Sequence, residues 1–145
     1  MHQLLPHLLW IGHAGDGRDF STVFENNIQA LLYLAAEEPL PQVPRELMCL
    51  RFPLVDGAGN PEDMLYLAIS TLAALVKRQV PTLATCGAGL SRSPAVAAAA
   101  FSIINQRPPA ECLAEIRKQH PCDVSPALWA EIAHFLTPME EAKEP

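Results

Sequence analysis

Residues 80–105 constrain this chain more than any other stretch. A short apolar run, residues 80–84, leads into Thr85-Cys86-Gly87-Ala88-Gly89-Leu90-Ser91-Arg92-Ser93, and a helix-forming run, residues 94–105, leads out. Residues 95–104 are apolar on nearly every side, which places the helix centrally in a core. A buried strand must therefore deliver its end directly to a central helix, through a loop with room for little more than one tetrahedral oxyanion.

The composition of that loop suits such an anion. Gly87 and Gly89 lack Cβ and are open to φ > 0, which lets backbone N–H groups turn inward. Successive inward N–H groups form an anion-binding nest, and the following helix adds its unpaired N–H groups and the positive end of its dipole. Ser93 is the predicted N-cap and Pro94 the predicted first helical residue. Arg92 offers a planar fork that can hold two phosphate oxygens at once. A cysteine at the mouth of a positive loop beside a cation is favoured as the thiolate, the form in which it acts as a nucleophile. The alternative is an inert buried cysteine in a glycine-rich turn. That reading leaves Arg92, at the head of an apolar helix, unexplained.

The bulk numbers narrow the setting. The 145 residues suffice for one domain with a sizeable core; half are apolar and 18% charged, as in a globular chain. Net charge is −6 with no basic run, which argues against nucleic acid or a membrane surface as the main partner. The four cysteines, at 49, 86, 112 and 122, form no CxxC and no zinc-finger spacing with histidine. No basic signal-peptide start and no membrane-length apolar run occur, so a cytoplasmic, reducing setting is expected, with the thiol unoxidised.

Strands are predicted at residues 7–11, 29–34, 47–55 and 81–85. A weak helical spacing occurs at Phe20, Val23 and Phe24. The strongest helix signal follows Asn60, a predicted cap, and Pro61; Leu65, Ala68, Ile69, Leu72, Leu75 and Val76 keep the 3.6 period. Further helices open at Pro108-Pro109 and Ser125-Pro126, and a charged tail begins at residue 139. Strands early and helices late predict a single α/β domain over residues 1–138 with a mostly parallel sheet.

The run Cys86-Gly87-Ala88-Gly89-Leu90-Ser91-Arg92-Ser93 resembles the signature loop of the cysteine-dependent dual-specificity protein phosphatases, within the protein tyrosine phosphatase superfamily. The likeness extends outward. Leu8-Leu9-Trp10-Ile11-Gly12 is similar to that family's opening strand, residues 27–35 to its second strand, Pro53-Leu54-Val55-Asp56 to the segment carrying its general acid, and residues 107–136 to its closing helices. The resemblance implies a central, mostly parallel five-stranded sheet flanked by helices, and a metal-independent phosphomonoester hydrolase with no cofactor. In that reading Cys86 attacks phosphorus to give a phosphocysteine. Arg92 and the main-chain N–H groups of Gly87, Ala88, Gly89, Leu90, Ser91 and Arg92 hold the phosphoryl oxygens. Ser93 hydrogen-bonds the thiolate, and Asp56 is the general acid. Glu62 and Asp63 are rivals for the acid, but they sit where first-turn carboxylates compensate a helix dipole.

One residue departs from the pattern. The family carries histidine immediately before the nucleophile; here that residue is Thr85, which can donate a hydrogen bond but carries no charge. Cys49 is expected on a strand able to neighbour that of Cys86, either as an inert buried thiol or as a disulfide partner. The loop has no lysine, so a singly phosphorylated substrate is favoured over a polyphosphorylated lipid: a phosphotyrosine, phosphoserine or phosphothreonine protein, or a small phosphomonoester. Phosphate or sulfate is the anion expected in the loop, and a monomer is the expected state. A catalytically weak phosphate-binding module of the same fold is the alternative. Arsenate reduction and sulfur transfer rank lower: arsenate reductases with this spacing place the loop near the N-terminus and add redox cysteines, and sulfurtransferase loops close differently.

Overall fold

A computed structural model describes residues 1–141, with side-chain surroundings through Leu136. Five strands are described: β1 (His2–Leu5), β2 (Leu9–Gly12), β3 (Ala30–Ala35), β4 (Met48–Leu54) and β5 (Thr82–Thr85). The helices are α1 (Phe20–Glu25), α2 (Glu62–Lys77), α3 (Arg92–Asn105), α4 (Pro109–Gln119) and α5 (Pro126–Glu141). The strands form one sheet in the order β1-β2-β5-β3-β4, parallel except for the β1–β2 pair. This is the five-stranded, mostly parallel α/β architecture expected from the sequence.

β1 has no counterpart among the strands predicted from the pattern. Pro6 breaks the apolar run and His7 takes φ 57, so the N-terminus folds back as a hairpin instead of forming one strand. α5 continues through Glu141, beyond the boundary drawn at residue 138; residues 142–145 of the charged tail lie outside the described residues.

The sheet is covered on both faces, and the pleat sorts its side chains. Leu9, Ile11, Leu32, Leu34 and Ala84 enter the larger core with α2, α3, α4 and α5. Trp10, Leu31, Tyr33 and Leu83 point the other way, toward Val23 of α1. α3 is as central as its composition requires: every residue from Ala95 to Ala100 is fully buried. Its small side chains let neighbouring elements approach closely, and they leave no slack for larger ones.

β3 lies between β4 and β5, with Leu31 opposite both Cys49 and Leu83. Cys49 is thus two strands from β5, roughly 9.5 Å across the sheet, beyond the ~7 Å Cα limit of a disulfide. The pairing with Cys86 is ruled out by topology, and the Cys49 residue is exposed, not buried. Among the described residues no helix is long and apolar enough to cross a membrane.

Ala98 faces neighbours on all sides. Ala98→Leu is expected to destabilise the fold by about 1–3 kcal/mol through overpacking, read as a lower thermal midpoint. An unchanged midpoint would contradict the packing described for α3.

Candidate active site

The C-terminal ends of β2, β3, β4 and β5 converge, and the loop at Cys86 lies among them. Cys86 is 3% exposed and donates its N–H to Gly12 O at 3.3 Å, a last rung of the β2–β5 pairing. Beyond it, the carbonyls of Gly87, Gly89 and Leu90 each meet a donor from outside the loop. Ala14 N–H reaches Gly87 O at 3.0 Å, His120 Nε2 reaches Gly89 O at 3.1 Å, and Asp123 N–H reaches Leu90 O at 2.8 Å. A carbonyl offers no proton, so the His120 nitrogen there carries N–H. Fixing those peptide planes leaves the opposite edges free. Among the described residues the N–H groups of Gly87, Ala88, Gly89, Leu90 and Ser91 donate to no protein acceptor.

The two glycines serve different ends. Gly89 takes φ 78, and a Cβ there would come within 2.8 Å of the Gly12 backbone. Gly87 does not have positive φ, contrary to expectation; it leaves room for Arg92 Nη2, 3.1 Å from where its Cβ would stand.

α3 begins at Arg92, so Ser91 is the N-cap residue, and its side chain makes no capping bond. The sequence reading placed the cap at Ser93. That hydroxyl is instead inside the first turn, fully buried, and its Oγ has no partner. Arg92 is 5% exposed. Its Nη1 donates to Leu54 O at 2.9 Å and to Glu37 Oε2 at 2.8 Å, and it also pairs with Oε1 of that carboxylate. Desolvation opposes ionisation of Glu37, but the Arg92 hydrogen bonds prevail and hold its carboxyl below the usual range. Arg92 Nε is buried with no partner. Buried polar groups are satisfied in native proteins with few exceptions; among the described residues the buried side-chain atoms without a protein partner are Arg92 Nε, Ser93 Oγ and His2 Nε2.

A pocket of about 130 Å³ opens over the loop, lined by Asp56, Cys86, Ala88, Leu90, Ser91, Arg92 and Asp123. The structure thus brings the predicted nucleophile, arginine and acid to one cavity. Glu62 and Asp63 stay in the first turn of α2 and do not line it. Asp56 Oδ1 accepts from Ser91 Oγ at 2.5 Å. The rest of the Asp56 loop is held by Asn60, whose side chain accepts from Val55 N and donates to Val55 O and Gly57 O. Asn60 is therefore not the predicted helix cap; Pro61 is the N-cap residue, with no side-chain bond. Glu131 of α5 anchors the same loop, accepting from Gly59 N at 2.9 Å and from Asn60 N and Nδ2.

Thr85 is 2% exposed and packed under the loop. A Cβ on Gly17 would lie 3.1 Å from its Oγ1 and 2.9 Å from the Tyr33 ring, and Tyr33 O–H donates to Gly17 O at 2.7 Å. Gly17 belongs to the short helical turn Asp16–Arg18, which therefore lies against both Thr85 and Tyr33. A larger apolar pocket between β1, α3 and α4 is lined by Cys112, but burial pushes that thiol up and keeps it protonated, so it offers no nucleophile. No group of three or more metal-ligating side chains occurs among the described residues.

Glu37, His120, Asn60, Glu131 and the Ser91 hydroxyl were not identified from sequence as parts of the site. A carboxylate just after β3 was a visible signal for Glu37; the others lack any local signature.

No family model and no curated protein sequence matches the chain. Solved structures do. The chain is similar to human DUSP28, with 22% identity and a TM-score of 0.81 over 98% of this chain and 96% of that one. It is similar to DUSP15, at 20% identity and TM-score 0.80 over 100% and 97%. It is also similar to PTPMT1, at 19% identity and TM-score 0.76 over 99% of each chain. The fold is that of the dual-specificity phosphatases, over essentially the whole chain.

The anchoring of the acid loop carries its own test. Desolvation raises the pKa of Glu131, but hydrogen bonds from Gly59 and Asn60 outweigh it and leave the carboxyl below its ordinary 4.5. A carboxylate depressed on folding adds stability that is full above the ordinary value and is lost as pH falls through the depressed one. The stability advantage of wild type over Glu131→Gln, from urea unfolding across pH, should be constant above about pH 5 and shrink as pH falls below 4.5. An advantage independent of pH would contradict the clamp.

Proposed function

We propose that the protein is a metal-independent phosphomonoester hydrolase that works through a phosphocysteine. The observation that carries the reading is the convergence of Cys86, Arg92 and Asp56 on one cavity, over a loop whose N–H groups from Gly87 to Ser91 donate to no protein acceptor among the described residues.

The chemistry runs in two steps. A phosphoryl group enters the loop with its oxygens toward the inward N–H groups and the Arg92 fork, which neutralise developing charge in place of a metal ion. Cys86 Sγ attacks phosphorus and the P–O bond to the alcohol or phenol breaks. Asp56 delivers its proton to that oxygen, so a neutral alcohol leaves. In the second step a water attacks phosphorus, its proton passes to the Asp56 carboxylate, and the S–P bond breaks. Ser93 Oγ–H donates to the departing thiolate, a use that gives its buried hydroxyl a partner. Cys86 is regenerated and inorganic phosphate leaves.

The cavity wall favours a singly phosphorylated substrate. Apart from Arg92, whose charge Glu37 already offsets, its lining has no cation, and it carries two carboxylates, Asp56 and Asp123. A second phosphate would find repulsion there. A phosphotyrosine, phosphoserine or phosphothreonine in a protein, or a small phosphomonoester, fits this polarity. The structural relatives, dual-specificity phosphatases and PTPMT1, support the phosphatase reading through their shared fold.

Turnover of para-nitrophenyl phosphate without added metal is the first test, with Cys86→Ser expected to abolish it. Asp56→Asn should slow substrates with poor leaving groups by about 10²–10⁴-fold and good ones far less. Equal loss on both would remove Asp56 from the acid role. Phosphate binding with no turnover in wild type would instead establish a binding module, the outcome that Thr85 in place of histidine would then explain.

A further inference from the structure

We propose that Ser91 is a positioning residue that decides which carboxyl oxygen of Asp56 carries the catalytic proton. This rests on the phosphatase reading above and goes beyond it by dividing the labour within the acid.

The hydrogen-bond inventory around Ser91 is short. Its Oγ donates to Asp56 Oδ1 at 2.5 Å and accepts from Ser125 N–H at 2.9 Å. A backbone N–H only donates, so the Ser125 bond has one direction. The Ser91 hydroxyl has a single proton, and among the described residues Asp56 Oδ1 is the acceptor available to it. A proton on Oδ1 facing Ser91 would leave that hydroxyl proton without an acceptor in a residue only 6% exposed, which a fold disfavours. Oδ1 is therefore the accepting oxygen in both protonation states. The mobile proton resides on Oδ2.

The location of Ser91 gives this bond its value. It directly precedes Arg92, on the turn that would hold the phosphate. The acid is thus referenced to the phosphoryl group by the loop itself, over one residue, and needs no closing lid to find its angle. The Ser125 N–H holds the serine oxygen from behind at the start of α5, the helix whose Glu131 secures the far side of the acid loop. Asp56 is exposed, and its own side chain is fixed by this one bond among the described residues. Without it the carboxyl group can rotate, and either oxygen can take the proton in a geometry unsuited to transfer.

The test compares wild type, Ser91→Ala and Ser91→Thr on a series of aryl and alkyl phosphates graded by leaving-group basicity, with kcat and KM separated. Ser91→Ala should lower kcat on the poorest leaving groups by about tenfold or more beyond whatever it loses on para-nitrophenyl phosphate, with the difference falling on kcat and not on KM. Ser91→Thr, which keeps the hydroxyl, should restore most of the loss. In an Asp56→Asn background the Ser91→Ala change should add no further dependence on the leaving group, because the amide has no acidic proton left to position. A loss equal across the series, or one that persists undiminished beside Asp56→Asn, would make Ser91 merely structural and overturn the proposal. Wild-type protein inactive on every phosphate would overturn the phosphatase reading and this inference with it; an active wild type with a flat Ser91→Ala profile would overturn the inference alone.

Discussion

A buried guanidinium with one N–H left open is the constraint on which the site depends. Arg92 gives up nearly all solvent contact, and a desolvated charge is costly unless it is paired and hydrogen-bonded. Glu37 and Leu54 O supply that pairing on one side, from the ends of β3 and β4. The Nε atom is buried with no protein partner. Glu37 and Leu54 O both accept from Nη1, which ties one end of the guanidinium to the segments after β3 and at the end of β4. The parallel sheet makes this possible, since it delivers the ends of β3, β4 and β5 to the same edge of the molecule.

The loop itself is organised by what its carbonyls do. Donors from three separate segments (Ala14, His120 and Asp123) hold the oxygens of Gly87, Gly89 and Leu90. The peptide planes of the loop are thereby fixed by the protein itself, with the N–H groups of Gly87 to Ser91 left without a protein acceptor among the described residues. The Asp56 segment is held in the same way. Asn60 stitches it internally, while Ser91 and Glu131 anchor it to the Cys86 loop and to α5. Thr85 is buried beside Gly17, whose carbonyl accepts the Tyr33 O–H.

Much of the fold could be read from local pattern. The buried run before Cys86, the all-apolar α3 and the period of α2 each carry their own signal, and these, with the resemblance of the Cys86–Ser93 run, led to a five-stranded α/β domain. The hairpin strand β1 escaped because Pro6 and the left-handed His7 hide two short strands in one apolar stretch. The start of α3 was misplaced because a serine before proline looks like a cap. Here Ser91 precedes the helix and Ser93 is spent on an interior role, which only burial reveals. Cys86 and Arg92 were singled out from residue type beside a tight turn and Asp56 through the resemblance, and the structure brings the three to one cavity. Their supports were not singled out. Glu37 lies 55 residues from Arg92, His120 31 from Gly89, and Glu131 71 from Asn60. Contacts of that span are set by how the sheet and helices pack, and apart from the position of Glu37 just after β3 the sequence holds no local trace of them.

The central claim is that phosphorus passes through the sulfur of Cys86. Rapid acid quench of wild-type protein mixed with a phosphomonoester, followed by peptide mass spectrometry, tests it most directly. The account predicts one phosphoryl group on the peptide containing Cys86 within the first turnover, increased in amount when Asp56→Asn slows its hydrolysis, and absent from Cys86→Ser. Product formation with no phosphoryl group on that peptide, or with label on another residue, would contradict it.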